Sequence, residues 1–67
     1  MKRKKMIILR INQGMTQKEF GDTLGYEGQY ISQIETGRTN GGMKFWYKVK
    51  TTYNIPEEEI ESYKELT

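Results

Sequence analysis

The chain has 67 residues and a mass of 7.9 kDa. A chain this short buries only about 60% of its unfolded surface, so we expect one domain spanning residues 1–67. It contains no cysteine and no histidine, which excludes a disulfide framework, a thiolate or imidazole metal site and a nucleophile activated by histidine. Most enzyme chemistry is thereby excluded, and acidic side chains clustered on one exposed helix do not form a dry site with separated pKa values. We expect a protein that is not an enzyme, with no cofactor, no metal and no evident small-molecule ligand.

The apolar residues are too scattered for a membrane segment. The longest apolar run has four residues, 6–9, whereas a membrane span needs about 18 or more. The basic start of the chain also lacks the apolar stretch and the small-residue cleavage site of a signal peptide. These features predict a cytoplasmic protein with no membrane partner.

The net charge of +2 divides unevenly along the chain. Residues 1–50 contain 10 of the 11 lysines and arginines and 4 of the 9 acidic residues, a charge of +6, whereas residues 51–67 carry −4. A basic body with an acidic end is typical of proteins that bind polyanions. Two solvated surfaces of a small domain would give the same pattern.

All seven glycines lie in the middle of the chain, and with the single proline they divide it into five predicted helices. The first helix covers residues 3–13, and a glycine ends it. Its predicted core-facing residues are Met6, Leu9 and either Ile11 or Gln13.

The start of the second helix carries the clearest local signal. Thr16 and Glu19 have the spacing of a capping box, and Met15 with Phe20 supplies the hydrophobic staple that accompanies it. The helix is therefore predicted to begin at Thr16 and to end at Gly25, which can adopt the left-handed conformation.

A third helix, over residues 27–36, follows after only one or two residues. Helices joined by so short a turn must cross steeply, and Gly21 provides the backbone clearance that such a crossing needs. The last two helices are predicted over residues 43–53 and 56–65. The predicted inward residues of these three helices are Ile31 and Ile34, then Met43, Trp46, Val49 and Tyr53, then Ile60 and Tyr63. The fold class is all-α, a compact five-helix domain.

Residues 16–38, TQKEFGDTLGYEGQYISQIETGR, closely resemble the helix-turn-helix of the Cro/cI-type phage repressors, the lambda repressor-like or XRE family. The similarity continues outward to residues 9–10 and 54–56, so it covers essentially the whole chain. It implies a helix-turn-helix at about residues 16–36. It also implies a transcriptional regulator of bacterial or phage origin, a repressor, that binds a palindromic double-stranded DNA operator as a homodimer.

In this family the second helix of the motif enters the major groove, and the first crosses the backbone. Glutamine can contact adenine through two hydrogen bonds, so we expect specificity to rest on Gln29 and Gln33; a solvated polar face is the alternative. Gly28 can allow close approach of the helix to DNA, but it has no side chain that could read a base. A carboxylate at Glu27 is repelled by phosphates unless it accepts from cytosine or turns toward the helix N-terminus. The predicted base-contacting set is Glu27, Gly28, Gln29, Ser32 and Gln33.

A second set of residues is expected to contact DNA phosphates. Free N–H groups at the helix start after Gly42 suit a phosphate, although an ordinary loop is the alternative. Residues 2–5 would add an N-terminal arm along the DNA backbone or form a disordered terminus. The predicted phosphate-contacting residues are Gln17, Tyr30, Arg38, Thr39, Asn40, Gly42 and Lys44.

The resemblance implies a structural role for Arg10 and Glu35, which match a partly buried ion pair between the first and third helices of the family. Core or interface positions are expected for the aromatic residues Phe45, Trp46, Tyr47 and Tyr53. Met43, Phe45 and Tyr47 offer apolar surface for a dimer contact.

A different class of function uses the same fold as an antitoxin or adaptor that binds a protein partner. The surfaces for it would be the acidic end of the chain or an exposed strip of Ile7, Ile8 and Ile11. The two roles can coexist in one protein.

Overall fold

The computed structural model describes residues 1–67 and contains five α-helices, one 3₁₀ turn and no strand. The elements in chain order are α1 (Lys4–Asn12), α2 (Gln17–Leu24), α3 (Gly28–Glu35), α4 (Met43–Thr52), the 3₁₀ turn (Glu57–Glu59) and α5 (Ile60–Lys64). The all-α, five-helix expectation is confirmed. None of the helices combines the length and the apolar character that a membrane crossing requires.

The ends of α2 lie where the sequence predicts them. The Glu19 N–H donates to Thr16 Oγ1 at 3.1 Å, and the Thr16 N–H donates to Glu19 Oε1 at 2.9 Å. This reciprocal pair is a capping box, which satisfies N–H groups that have no partner within the helix. Gly25 follows α2 in the left-handed conformation, with φ of 81°.

The most extensive contact between two helices is that of α2 with α3, and it depends on two glycines. A Cβ atom on Gly21 would overlap the Tyr26 carbonyl oxygen and crowd Ile31. A Cβ atom on Gly28 would lie 3.0 Å from Lys18 Cα. The predicted clearance at Gly21 is confirmed, and a second close approach exists at the start of α3.

One hydrophobic core receives side chains from all five helices. The buried apolar residues are Met6, Phe20, Leu24, Ile31, Ile34, Phe45, Trp46, Val49, Ile55 and Ile60. Leu9, Met15, Tyr53 and Tyr63 pack against this core and are partly buried.

Two of the predicted inward faces are partly wrong. On α1, Ile11 and Gln13 are exposed, because the inward side of the helix continues from Met6 to Arg10, which turns toward Glu35. Ile11 thus points into solvent.

On α4, Met43 is 92% exposed. The inward side of α4 begins instead at Phe45 and Trp46, which are buried. The Trp46 indole donates to the Asn40 carbonyl at 2.9 Å, so the loop closes over the end of the core and Met43 lies outside it. Because Phe45 is a core residue, it cannot supply the apolar dimer surface expected of it.

The predicted helix over residues 56–65 is shorter and begins differently. The segment starts with the 3₁₀ turn, in which the Glu59 N–H donates to the Pro56 carbonyl at 2.9 Å, before α5 proper begins at Ile60. No side chain caps the start, and 3₁₀ geometry is common at helix termini.

Residues 2–5 form neither an extended arm nor a disordered terminus. Lys2 and Thr67 exchange two backbone hydrogen bonds, at 3.1 and 2.9 Å. Arg3 is buried with 3% exposure, and α1 begins at Lys4. The N-terminal segment is therefore part of the folded body.

Candidate nucleic-acid interface

The third helix presents two chemically different faces. Ile31 and Ile34 are fully buried and fix one face of α3 in the core. Polar side chains on the opposite face line a shallow depression of about 290 Å³ that has no hydrophobic lining residue. The depression is lined by Gln29, Ser32, Gln33, Thr36 and Arg38. The structure thus brings together three of the predicted base-contacting residues and one predicted phosphate-contacting residue.

Thr36 belongs to this polar face but was not predicted. It follows Gln29 by seven residues and Gln33 by three, the spacing of one helix face. This spacing is the signal that could have identified it. Its hydroxyl donates to the Ser32 carbonyl at 2.9 Å, so the side chain is held against the last turn of α3.

The start of α3 contains the other two predicted base-contacting residues. Glu27 is the N-cap and is exposed, and its carboxylate makes no capping hydrogen bond. A side chain on Gly28 would point into α2 at Lys18. Gly28 therefore has a packing role in this fold, because it allows α3 to approach α2. If the Glu27 carboxylate turns toward the helix N-terminus, as considered from the sequence, it does so without a capping hydrogen bond.

Tyr30 is fixed by aromatic neighbours. Its ring stacks on Tyr26, with centroids 4.9 Å apart, and meets Phe45 edge to face at 5.4 Å. The phenol oxygen makes no hydrogen bond to the protein, so it is free for an external partner, while the ring position is set by packing.

The segment between α3 and α4 is held by side chains from elsewhere. The Thr39 carbonyl and Asn40 Oδ1 both accept hydrogen bonds from Arg3, and the Asn40 carbonyl accepts from Trp46. Arg38 is exposed and forms no ion pair or side-chain hydrogen bond. The loop thus combines a fixed backbone with one free guanidinium group.

The first turn of α4 follows directly from this loop. Gly42 is the N-cap, and no side chain caps the helix. The first N–H groups of an α-helix have no partner within it. Lys44 is exposed in this turn and has no carboxylate partner. The loop and this turn together present one lysine, one arginine and uncapped backbone donors.

Arg10 and Glu35 form the predicted ion pair between α1 and α3. Two guanidinium nitrogens of Arg10 donate to the Glu35 carboxylate at 2.7 and 3.2 Å, and a third bond reaches the Met15 carbonyl at 3.0 Å. The side chain of Glu35 is 3% exposed. The Gln17 amide donates to the same carboxylate at 3.0 Å. Gln17, predicted only as a phosphate contact, thus also belongs to this buried network.

The acidic end of the chain is partly neutralised within the fold. Lys50 Nζ lies 2.8 Å from Glu57, and Lys64 Nζ lies 3.0 Å from Glu61. The hydrogen bond from Lys50 and its positive charge lower the pKa of the Glu57 carboxyl below its usual value. Arg38 in the loop and Lys44 in the first turn of α4 are not involved in these pairs.

The helices α2 and α3 approach each other closely at the buried Gly21, and α3 exposes a polar face. This arrangement defines a helix-turn-helix domain of the kind that binds DNA. The helix-turn-helix family model matches residues 6–60. This chain belongs to that family, in its Cro/cI or XRE branch, and is a DNA-binding transcription regulator. No curated protein and no solved structure gives a significant match.

Proposed function

We propose that the protein is a repressor that binds a palindromic operator as a homodimer and acts by occupying the site. The observation that carries this proposal is the polar depression on the outer face of α3, since the opposite face is anchored in the core. A rigid helix with one polar face is suited to the major groove.

Base reading would depend chiefly on Gln29 and Gln33, which lie one turn apart on α3. Each can make a bidentate contact with adenine, worth about 1 to 3 kcal/mol of discrimination against another base. Ser32 lies between them and can donate or accept. Glu27, with no intramolecular capping bond, suits the amino group of a cytosine. Gly28 would contribute through its packing against α2, which positions the start of α3.

Phosphate contacts would surround this reading face. Arg38 and Lys44 supply charge, and the N–H groups after Gly42 supply donors at the positive end of the α4 dipole. Thr39 and Asn40 lie in the loop between them. On the other side, the hydroxyl of Tyr30 can donate to a phosphate, and so can the second N–H of the Gln17 amide, whose first N–H is bonded to Glu35.

A dimer contact is proposed on α4. Met43 and Tyr47 lie one turn apart, are both exposed, and line an apolar depression of about 320 Å³ with Lys44 and Lys48. Two domains on a palindrome lie about one helical turn of DNA apart, roughly 34 to 36 Å. An apolar contact between the two copies would fix this spacing.

Selection of bound duplexes from a random pool tests sequence reading. Gln33→Ala should lower specific affinity by about 1 to 3 kcal/mol and relax the preference at one base position of the consensus. Lys44→Ala should weaken all duplexes alike and reduce the salt slope by about 1. An identical consensus for Gln33→Ala and the parent would show that Gln33 does not read a base.

Sedimentation with and without the selected palindromic duplex tests the dimer. Two chains per duplex are expected for the parent, and Tyr47→Glu should reduce this cooperative assembly while each chain still binds one half-site. Ile8→Glu is the matched control, because it introduces the same charge at an exposed residue of α1. A stable complex of one chain with one full palindrome would contradict the dimer.

A second function is favoured by one observation on α1. Ile8 and Ile11 are 55% and 59% exposed, an apolar strip suited to a protein partner in an antitoxin or adaptor role. The salt dependence of binding distinguishes the two functions. The logarithm of DNA affinity should fall with the logarithm of salt concentration, with a slope near −0.9 per neutralised phosphate, whereas apolar protein binding should change little.

A further inference from the structure

Arg3 differs from the other basic residues at the start of the chain. Lys2, Lys4 and Lys5 are exposed, whereas Arg3 is buried with 3% exposure. Its guanidinium carbon lies 5.8 Å from the ring centre of Trp46, over the ring. A charge this well buried does not serve as a mobile contact to DNA. The role of Arg3 must therefore lie in the groups to which it hydrogen-bonds.

The guanidinium of Arg3 donates four hydrogen bonds to three separate parts of the fold. Nη1 donates to the carbonyls of Ile34 at 2.8 Å and of Thr39 at 2.9 Å. Nη2 donates to Asn40 Oδ1 at 3.2 Å, and Nε donates to the Lys64 carbonyl at 2.9 Å. The planar fork of arginine makes several such bonds at fixed angles, which a lysine ammonium cannot reproduce.

These bonds meet at the end of α3. The backbone N–H of Arg3 donates to the Glu35 carbonyl at 2.8 Å, so the segment before α1 caps the last turn of α3 through two carbonyls. A cation at this end is favourable for the helix dipole. Burial lowers the pKa of the Arg3 guanidinium, but arginine remains protonated in proteins.

We propose that Arg3 is a positioning residue for DNA binding, which fixes the loop of residues 38–42 relative to the reading face of α3. The proposal rests on the proposed function, because that loop carries the expected phosphate contacts. Without Arg3, the Ile34 carbonyl, the Thr39 carbonyl and Asn40 lose their common donor. The loop then has no side chain that ties it to both α3 and α5.

The test measures affinity and its salt dependence for the duplex selected by the parent protein. Arg3→Gln and Arg3→Lys should each lower affinity about tenfold and make the logarithmic salt slope shallower by about 0.9 to 1.8, the loss of one or two phosphate contacts. The selected consensus should not change, because the base-reading residues keep their side chains. Circular dichroism and the melting temperature establish that the variants are folded at the binding temperature.

Lys4→Gln is the matched control, since it removes one positive charge at the next residue, which is exposed and forms no hydrogen bond through its side chain. Its affinity should stay within about twofold of the parent. An equal loss from Lys4→Gln and Arg3→Gln would mean that the basic start of the chain acts through its charge, and the proposal would be wrong. Folded Arg3 variants with parental affinity and slope would also overturn it.

If Arg3→Gln does not fold, a double-mutant cycle of Arg3→Lys and Asn40→Ala replaces it. Asn40 is exposed, so its truncation leaves the core intact. If the two substitutions lower affinity by less than the sum of their separate effects, Arg3 and Asn40 act together through their hydrogen bond. Additive effects would overturn the proposal. Failure of the proposed function is distinguished by the parent protein, which would then bind no duplex in a salt-dependent way.

Discussion

Two arginines attach α3 to the N-terminal part of the chain, and their partners differ in charge. Arg10, near the end of α1, binds the carboxylate of Glu35. Arg3, just before α1, binds three backbone carbonyls and one amide oxygen. Both act on the last turn of α3, one through an ion pair and the other through neutral acceptors only.

This difference determines what remains when either arginine is lost. Removal of Arg10 leaves a buried carboxylate without its counter-charge, whereas removal of Arg3 leaves only dipoles without donors. Uncompensated charge in the interior costs more than an unpaired carbonyl. Arg10 should therefore matter more for stability than Arg3, although its side chain makes fewer hydrogen bonds.

Arg10→Met has the largest expected effect. It should lower the free energy of unfolding by about 3 to 5 kcal/mol, because Glu35 is left charged in the interior with only the amide of Gln17. Such a loss approaches the whole stability of a small domain, so the urea transition should move close to zero denaturant. A midpoint within about 0.5 M of the parent would contradict this expectation.

A second substitution distinguishes stranded charge from lost packing. Arg10→Met combined with Glu35→Met removes the pair together, and it should recover most of the stability lost in the single variant. Asp22→Ala is the matched control for an exposed pair, since Lys18 and Asp22 are 80% and 62% exposed. Its effect should be within about 0.5 kcal/mol.

Arg3→Met should have the second-largest effect, a loss of about 1 to 3 kcal/mol in the free energy of unfolding. The Ile34 carbonyl is buried and loses a donor, which carries a desolvation cost, but no charge is left behind. Urea unfolding of this variant beside Arg10→Met gives the comparison directly. A larger loss for Arg3→Met would mean that hydrogen-bond number, not charge, controls the stability here.

The two arginines also show how far the sequence predicts the structure. Arg10 and Glu35 could be paired because both partners are side chains at positions that the family resemblance identifies. The partners of Arg3 are mostly carbonyl oxygens, which every residue possesses, so nothing in the sequence marks them. From the sequence alone, the basic start of the chain therefore indicates a DNA-backbone arm or a disordered terminus, and the structure shows neither.

For the helices too, features that depend on local side chains can be predicted, whereas features that depend on tertiary contacts cannot. The ends of α2 could be predicted because Thr16, Glu19 and Gly25 act locally, through caps and backbone conformation. The inward face of α4 depends on the tertiary contact between Trp46 and the loop, so helix periodicity alone wrongly predicts Met43 in the core. The outer face of α3 followed from periodicity, and Thr36 could have been added to it on the same basis.

Gln17→Ala should have a smaller effect, a loss of about 1.5 kcal/mol, the lower end of the range for a hydrogen bond to a charged group. It removes one donor from Glu35 but leaves Arg10 in place, so the carboxylate keeps its counter-charge. Thermal unfolding should show a small decrease in the melting temperature. A loss as large as that of Arg10→Met would mean that the amide, not the guanidinium, stabilises the buried carboxylate.

The smallest effect is expected for the surface ion pair of Lys50 and Glu57, whose side chains are 27% and 74% exposed. The lowered pKa of the Glu57 carboxyl means that the folded state favours its charged form, so the pair contributes stability above the unfolded pKa. This contribution is lost as the pH falls through the lower, folded pKa. Lys50→Met should therefore be slightly less stable than the parent at pH 7 and indistinguishable from it in strong acid. Urea unfolding of both proteins across acidic pH measures this difference, and a gap that widens as the pH falls would contradict the role of the pair.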